Sequence, residues 1–98
     1  MKKASEKTLE KRLRETVKKS GGLALKIFCA SFTGLPDRLC LLKGGRVKFA
    51  EIKTTGKKPT KRQEFVHNLL KRLGFPVWII DSNETLTEFL TYCDKDAF

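Results

Sequence analysis

Pro36-Asp37-Arg38-Leu39-Cys40-Leu41-Leu42-Lys43-Gly44-Gly45-Arg46-Val47-Lys48-Phe49-Ala50-Glu51-Ile52-Lys53 is the stretch that decides how this chain folds. Two apolar runs, Asp37 to Leu42 and Arg46 to Lys53, flank Lys43-Gly44-Gly45, a pattern that predicts a β-hairpin. Residues alternate faces along a strand, so Glu51 and Lys53 point one way while Ala50 and Ile52 point the other. A three-residue loop pairs Leu42 with Arg46 and sets Asp37 opposite Glu51. A two-residue loop sets Asp37 opposite Ile52, beside Glu51. Either register brings the carboxylates within several ångströms, since opposed Cβ atoms lie roughly 4.5–5.5 Å apart, but only the first puts them on one face.

Outward from the hairpin the periodicity changes. Leu9, Leu13 and Val17 recur at i, i+4, i+8, predicting a helix over 5–20 with Ser5 as N-cap and Gly21-Gly22 as its stop. Residues 23–30 alternate at Leu25, Ile27 and Cys29 and read as a strand, followed by a loop punctuated by Gly34 and Pro36. Beyond the hairpin, 54–59 is a polar, basic loop. A second helix spans 60–73, with Phe65, Val66, Leu69, Leu70 and Leu73 on one stripe, and Gly74 stops it. Val77-Trp78-Ile79-Ile80 is continuously apolar and predicts a strand buried on both faces, with Trp78 in the core. Residues 83–92 form a closing helix with Leu86, Phe89 and Leu90 inward. The order α-β-β-β-α-β-α implies an α/β fold: a mixed sheet flanked by helices, its last strand parallel to an earlier one. The 98 residues read as one domain without repeats or a linker.

Charge supplies a functional direction. The chain carries a net +10, unevenly spread. Residues 1–20 hold eight basic and three acidic groups, residues 57–72 six and one, and residues 73–98 one and five. Such asymmetry suits a surface that faces a polyanion, with Lys26, Arg38, Lys57, Lys58, Lys61 and Arg62 as candidate contacts to nucleic-acid phosphates. The alternative for these residues is a solvated basic face. No apolar run is long enough for a membrane span or a signal peptide, which predicts a soluble, cytoplasmic protein with no membrane partner. Three cysteines at wide spacing offer neither a disulfide framework nor a zinc half-site, and Cys29 and Cys40 read as buried small hydrophobes.

Two carboxylates at one strand end repel each other and invite a hard divalent cation, Mg²⁺ or Mn²⁺, bound through oxygen. That combination, with Lys53 to orient water or offset charge on a phosphate, suits phosphodiester hydrolysis and needs no small-molecule cofactor. The competing reading is an ordinary ion pair between Glu51 and Lys53 with Asp37 as a turn residue. Glu-x-Lys alone is too common to decide. A Pro-Asp, a strand, a Gly-Gly turn and a second strand ending in Glu-x-Lys is far more specific.

Pro36-Asp37 followed by Glu51-Ile52-Lys53 resembles the PD-(D/E)xK nuclease signature. More narrowly, Gly21-Gly22-Leu23-Ala24-Leu25-Lys26, Gly34-Leu35-Pro36-Asp37-Arg38-Leu39, Phe49-Ala50-Glu51-Ile52-Lys53, Gln63 and Gly74-Phe75-Pro76-Val77 resemble the virus-type replication-repair nuclease family, VRR-NUC. The resemblance covers about residues 5–90. It implies a restriction-endonuclease-like core that binds one or two divalent cations and cuts DNA. Asp37, Glu51 and the Ile52 carbonyl would be metal ligands, and Lys53 the catalytic lysine. It also implies a glutamate from the first helix, here Glu10 in preference to Glu6. Gln63 has two readings. Thr60-Lys61-Arg62-Gln63 forms a capping box on its own terms, whereas the resemblance points Gln63 at the active site. Stand-alone members of the family resemble Holliday-junction resolvases, which implies branched DNA, a four-way junction above all, as substrate and a homodimer as the working form. It also implies a phage or prophage source. Phe89, Leu90, Tyr92 and Phe98 are the apolar residues available for such a dimer. A basic binding module without catalysis, or a flap nuclease, would share much of this sequence.

Overall fold

The computed structural model describes residues 5–53 and 57–95. Ser5 caps α1 (Glu6–Lys19) by accepting a hydrogen bond from Thr8 N at 3.1 Å. The helix ends where Gly21, at φ 92°, turns the chain so that Gly22 N donates to Val17 O at 2.9 Å. A Cβ on Gly22 would lie 2.5 Å from Leu41 O, so the close entry into the sheet requires glycine there.

β1 (Leu23–Lys26), β2 (Arg38–Leu42) and β3 (Arg46–Ile52) run antiparallel in succession. Leu42 pairs with Arg46, so Lys43-Gly44-Gly45 is a three-residue loop. Gly44 and Gly45 both have positive φ, at 81° and 74°, which explains the Gly-Gly. α2 (Lys61–Arg72) then crosses to β4 (Val77–Ile80), which lies parallel to β3, and α3 (Asn83–Lys95) closes the chain. The sheet order is β1-β2-β3-β4, a mixed sheet flanked by helices, in the element order expected from the sequence.

The register divides the strands into two faces. Ala24, Cys40, Ala50, Ile52 and Ile80 point to one side, where they meet Leu9, Leu13 and Val17 of α1 and Leu86, Phe89 and Cys93 of α3. These residues form the core, and burying each large side chain contributes roughly 1.5–3 kcal/mol. The opposite face carries Leu23, Leu25, Leu39, Leu41, Val47, Phe49 and Val77. There α2 covers only part of the sheet; Leu23 and Leu41 remain exposed, and Val66 is the one buried residue of that helix.

Four expectations are corrected. β1 stops at Lys26, so Cys29 is exposed in the following loop rather than buried in a strand. Phe65 and Leu73 lie on the predicted stripe of α2 but are exposed, because that helix overlies the sheet's edge rather than its middle. β4 is an edge strand, with Val77, Trp78 and Ile79 half-buried, so its apolar run does not reflect burial on both faces. α3 runs one turn past Tyr92. Of the apolar residues available for a dimer, Phe89 is fully buried and closes the core, while Leu90 and Tyr92 are partly buried against it; Phe98 and residues 54–56 of the predicted basic loop lie outside the described residues. No helix among the described residues is long and apolar enough to cross a membrane.

Candidate active site

The hairpin register carries on past Arg38↔Ala50 to set Asp37 opposite Glu51, and the hydrogen bonds interlock the two. Asp37 N donates to Glu51 Oε1 at 3.0 Å, and Ile52 N donates to Asp37 Oδ2 at 3.1 Å. Each carboxylate thus accepts from the backbone of the other strand, so neither can swing away without orphaning an amide. Pro36 is fully buried, and Ile27 N donates to Asp37 O at 3.0 Å, fixing the aspartate from its other side. Lys53 N donates to Ile80 O at 2.9 Å, which ties the end of β3 to the parallel strand.

Glu51 is 1% exposed, a carboxylate buried among partners. Its Oε2 receives Lys53 Nζ at 3.3 Å and Gln63 Nε2 at 3.1 Å. Burial raises the Glu51 carboxyl above its ordinary range and the charge of Asp37 adds to the rise, while the Lys53 ammonium opposes both. Two like charges at one strand end, partly offset by one ammonium, leave a local demand for more positive charge.

Gln63 satisfies both of its readings at once. Its backbone N donates to Thr60 Oγ1 and its Oε1 accepts from Thr60 N, a complete capping box at the start of α2. The same side chain uses its amide nitrogen on Glu51. A glutamine has an acceptor at one corner and donors at the other, so the box orients the amide that reaches the site.

No family profile matches the chain. It is 40% identical over 79 residues to "Putative nuclease p44" of Acyrthosiphon pisum secondary endosymbiont phage 1, an alignment spanning 81% of this chain and 85% of the phage protein. Its structure superposes on a solved VRR_NUC domain with a TM-score of 0.82 and 26% identity, covering 90% of this chain and 97% of that one. The chain belongs to the VRR-NUC family. Asp37, Glu51, Lys53 and Gln63, singled out from the sequence as site residues of a VRR-NUC nuclease, converge at one end of the sheet.

Two other singled-out residues meet each other instead. Arg38 projects from the face opposite Asp37 and is only 7% exposed. Its Nη2 lies 3.7 Å from Glu10 Oε2, and its Nη1 donates to Ala24 O at 3.3 Å. Arg38 is therefore a buried partner of α1: of the two roles open to it from the sequence, a phosphate contact or a neighbouring carboxylate's partner, it takes the second here. Glu10, the expected first-helix acid, spends its carboxylate on Arg38 in this structure. Lys26, Lys57, Lys58, Lys61 and Arg62 are all exposed, as a polyanion-facing surface requires.

His67 is a residue that the sequence patterns do not single out. It lies four residues beyond Gln63, hence on the same face of α2. Its Nε2 is buried with no hydrogen-bond partner among the described residues. Burial holds the imidazole below its ordinary pKa, and the nearby Lys53 charge adds to that against the pull of Asp37 and Glu64. The only available signal was its spacing from Gln63.

The donor set fits a hard divalent cation. Two carboxylates and the main-chain carbonyl of Ile52 are oxygen donors, and no third Asp, Glu, His or Cys joins them among the described residues. Mg²⁺ and Mn²⁺ tolerate so few protein ligands because water and phosphate oxygens complete their shells.

Proposed function

We propose that this VRR-NUC protein is a metal-dependent endonuclease that hydrolyses phosphodiester bonds in branched DNA, four-way junctions above all, with Mg²⁺ or Mn²⁺. The observation that carries this reading is the Asp37–Glu51 pair, crowded together at the end of β3 with Lys53 on the buried carboxylate. Asp37, Glu51 and the Ile52 carbonyl would hold the cation. When bound, it supplies Lewis-acid stabilisation of charge on phosphate and makes water more acidic.

The chain's own groups do the positioning. Lys53 donates into the site and offsets negative charge as it grows on the phosphate. Gln63 holds Glu51 Oε2 and limits the rotation of that carboxylate. Glu10 would be the acid supplied by α1, as the family resemblance implies, a role that requires it to leave Arg38. Lys26, Lys57, Lys58, Lys61 and Arg62 take DNA phosphates, which position a duplex without reading its sequence. A four-way junction presents two equivalent strands, and a symmetric pair of chains matches them. The open sheet face, with Leu23, Leu25 and Leu41 exposed, is the apolar surface for that second copy. Such an enzyme of phage type would act in the host cytoplasm.

Labelled four-way junction, flap and linear duplex DNA, each offered with Mg²⁺ or Mn²⁺, test this reading directly. Cutting that requires the metal, is lost in Asp37→Asn and leaves paired nicks in the junction is the expected result. Binding to all three DNAs with no cutting under either metal would leave a basic binding module. Cutting confined to flaps would shift the substrate class.

A further inference from the structure

Beside the site stands a cluster of aromatic rings and cations that hydrolysis does not use. The loop between β1 and β2 carries Phe32, 38% exposed, and the first turns of α2 carry Phe65, 55% exposed. Arg62 joins them: its guanidinium carbon lies 5.2 Å from the Phe32 ring centre and 5.6 Å from that of Phe65. The arrangement is anchored. Arg62 Nε donates to Thr33 O at 3.1 Å, and Gly34, at φ +89°, lets the loop approach α2 so closely that a Cβ would lie 2.9 Å from Val66 and 3.0 Å from Arg62. The same packing links the cluster to the catalytic end. Arg62 immediately precedes Gln63, which holds Glu51, and Phe32 is on the loop that delivers Asp37.

Exposed rings of this size cost solvation unless something covers them. Among the described residues no carboxylate pairs with Arg62, and Lys26, Lys57, Lys58 and Lys61 are exposed too, with Glu64 the only acid in the first turn of α2. An apolar protein partner would have to bury that excess positive charge. A nucleotide matches all of it: the base offers a π-face to the rings and its phosphate offers charge to the guanidinium.

We propose that Phe32, Arg62 and Phe65 form a stacking platform for one unpaired nucleobase of the DNA strand next to the phosphate that is cut. A paired base has both faces in the duplex stack, so the platform selects DNA that is open at this point. Stacking accepts any base, because every base has a π-face, so the selection is for an unpaired nucleotide and not for sequence. This rests on the nuclease reading only for what happens to the strand, not for its binding.

The test is the affinity of the full chain, in EDTA, for a duplex with one unpaired nucleotide against a fully paired duplex of equal length. The wild type is expected to favour the former, and Phe32→Ala or Phe65→Ala to bind it roughly tenfold more weakly, the loss of one base–aromatic contact, with little change on paired DNA. Phe65→Trp, which keeps a π-face, is expected to retain the preference, and Phe65→Leu, which keeps only apolar bulk, to lose it. Equal weakening on both DNAs, a preference fully retained by Phe65→Leu, or a change of oligomeric state as the sole effect of the alanine variants would overturn the platform. A binding preference with no cutting of any DNA would uphold the platform and sink the nuclease reading. Cutting without the preference would do the reverse.

Discussion

The two faces of the sheet are made from alternate residues of the same four strands, and they differ in nearly every physical respect. Toward α1 and α3, Leu9, Leu13, Cys40, Ala50, Ile80, Leu86 and Phe89 are fully buried. Toward α2, the carboxylates of Asp37 and Glu51 share the surface with Leu23, Leu25 and Leu41, and a single helix covers part of it. The packed face fixes the register, and a register held to a single residue is what puts two like charges opposite each other on the other face. The fold's favourable packing is on one side, and the unfavourable crowding of like charges is on the other.

The largest expected effect tests that division on the open side. Asp37→Asn is expected to reduce cleavage roughly 10³-fold or more, because it removes one of two negative charges from the pair proposed to hold the metal. The neutral amide can still accept from Ile52 N and no longer repels Glu51. Unfolding in EDTA is therefore expected to show a protein as stable as the wild type or more stable by about 1 kcal/mol. A markedly destabilised Asp37→Asn would show that the pair holds the fold together, contrary to this account.

On the packed side the expectation is inverted. Phe89→Ala empties the centre of the core and is expected to cost about 3–5 kcal/mol in urea denaturation. Leu73→Ala removes an apolar side chain of similar chemistry that is 64% exposed at the C-cap of α2, and the expected change is within about 0.5 kcal/mol. Equal losses at the two positions would mean that the α2 face is covered in solution by something the isolated chain lacks.

Gln63 sits where the two demands meet, so a smaller pair of variants separates them. Thr60→Ala and Gln63→Ala each break the capping box and are each expected to cost about 1 kcal/mol of stability. Only Gln63→Ala also takes the amide away from Glu51 Oε2, leaving Lys53 as its one side-chain partner there, and only it is expected to lower cleavage about tenfold beyond its effect on stability. Equal cleavage by the two would reduce Gln63 to a helix cap.

How much of this was legible beforehand follows the same division. Leu9, Leu13 and Val17, the Gly-Gly loop and the Glu-x-Lys strand end are local patterns, and each sits where its periodicity placed it. The two candidate hairpin registers could not be separated locally, because loop length is settled by what the packed face accepts. Phe65 and Leu73 misled because an apolar stripe records a tendency to be covered, and α2 packs on the edge strand β4, leaving both exposed. Gln63 looked like a choice between cap and site because sequence reading assigns one role per residue, while an amide has two ends. Arg38 and Glu10 each carried a plausible polar role, and only the third dimension shows that they face each other. His67 gave no warning: a lone histidine on a helix says nothing about the lysine across from it.

The smallest expected effect is a pH dependence, and its sign is specific. Glu51 has a raised carboxyl pKa in the folded chain, through burial and then Asp37, so the folded state binds this proton more tightly than the unfolded one. Its contribution to stability is therefore fully present below the ordinary carboxylate range and is lost as pH rises through the folded value. That direction is opposite to the usual salt-bridged acid, whose contribution is lost on acidification. Other carboxylates titrate in the same interval, so the quantity to measure is the difference in unfolding free energy between wild type and Glu51→Gln, without metal, from acid to neutral pH. The wild type is expected to lose ground relative to the variant as pH rises. A difference that stays flat, or that grows in favour of the wild type, would mean that Lys53 and Gln63 compensate the buried charge in full. The open face would then carry no stored cost for a cation to relieve.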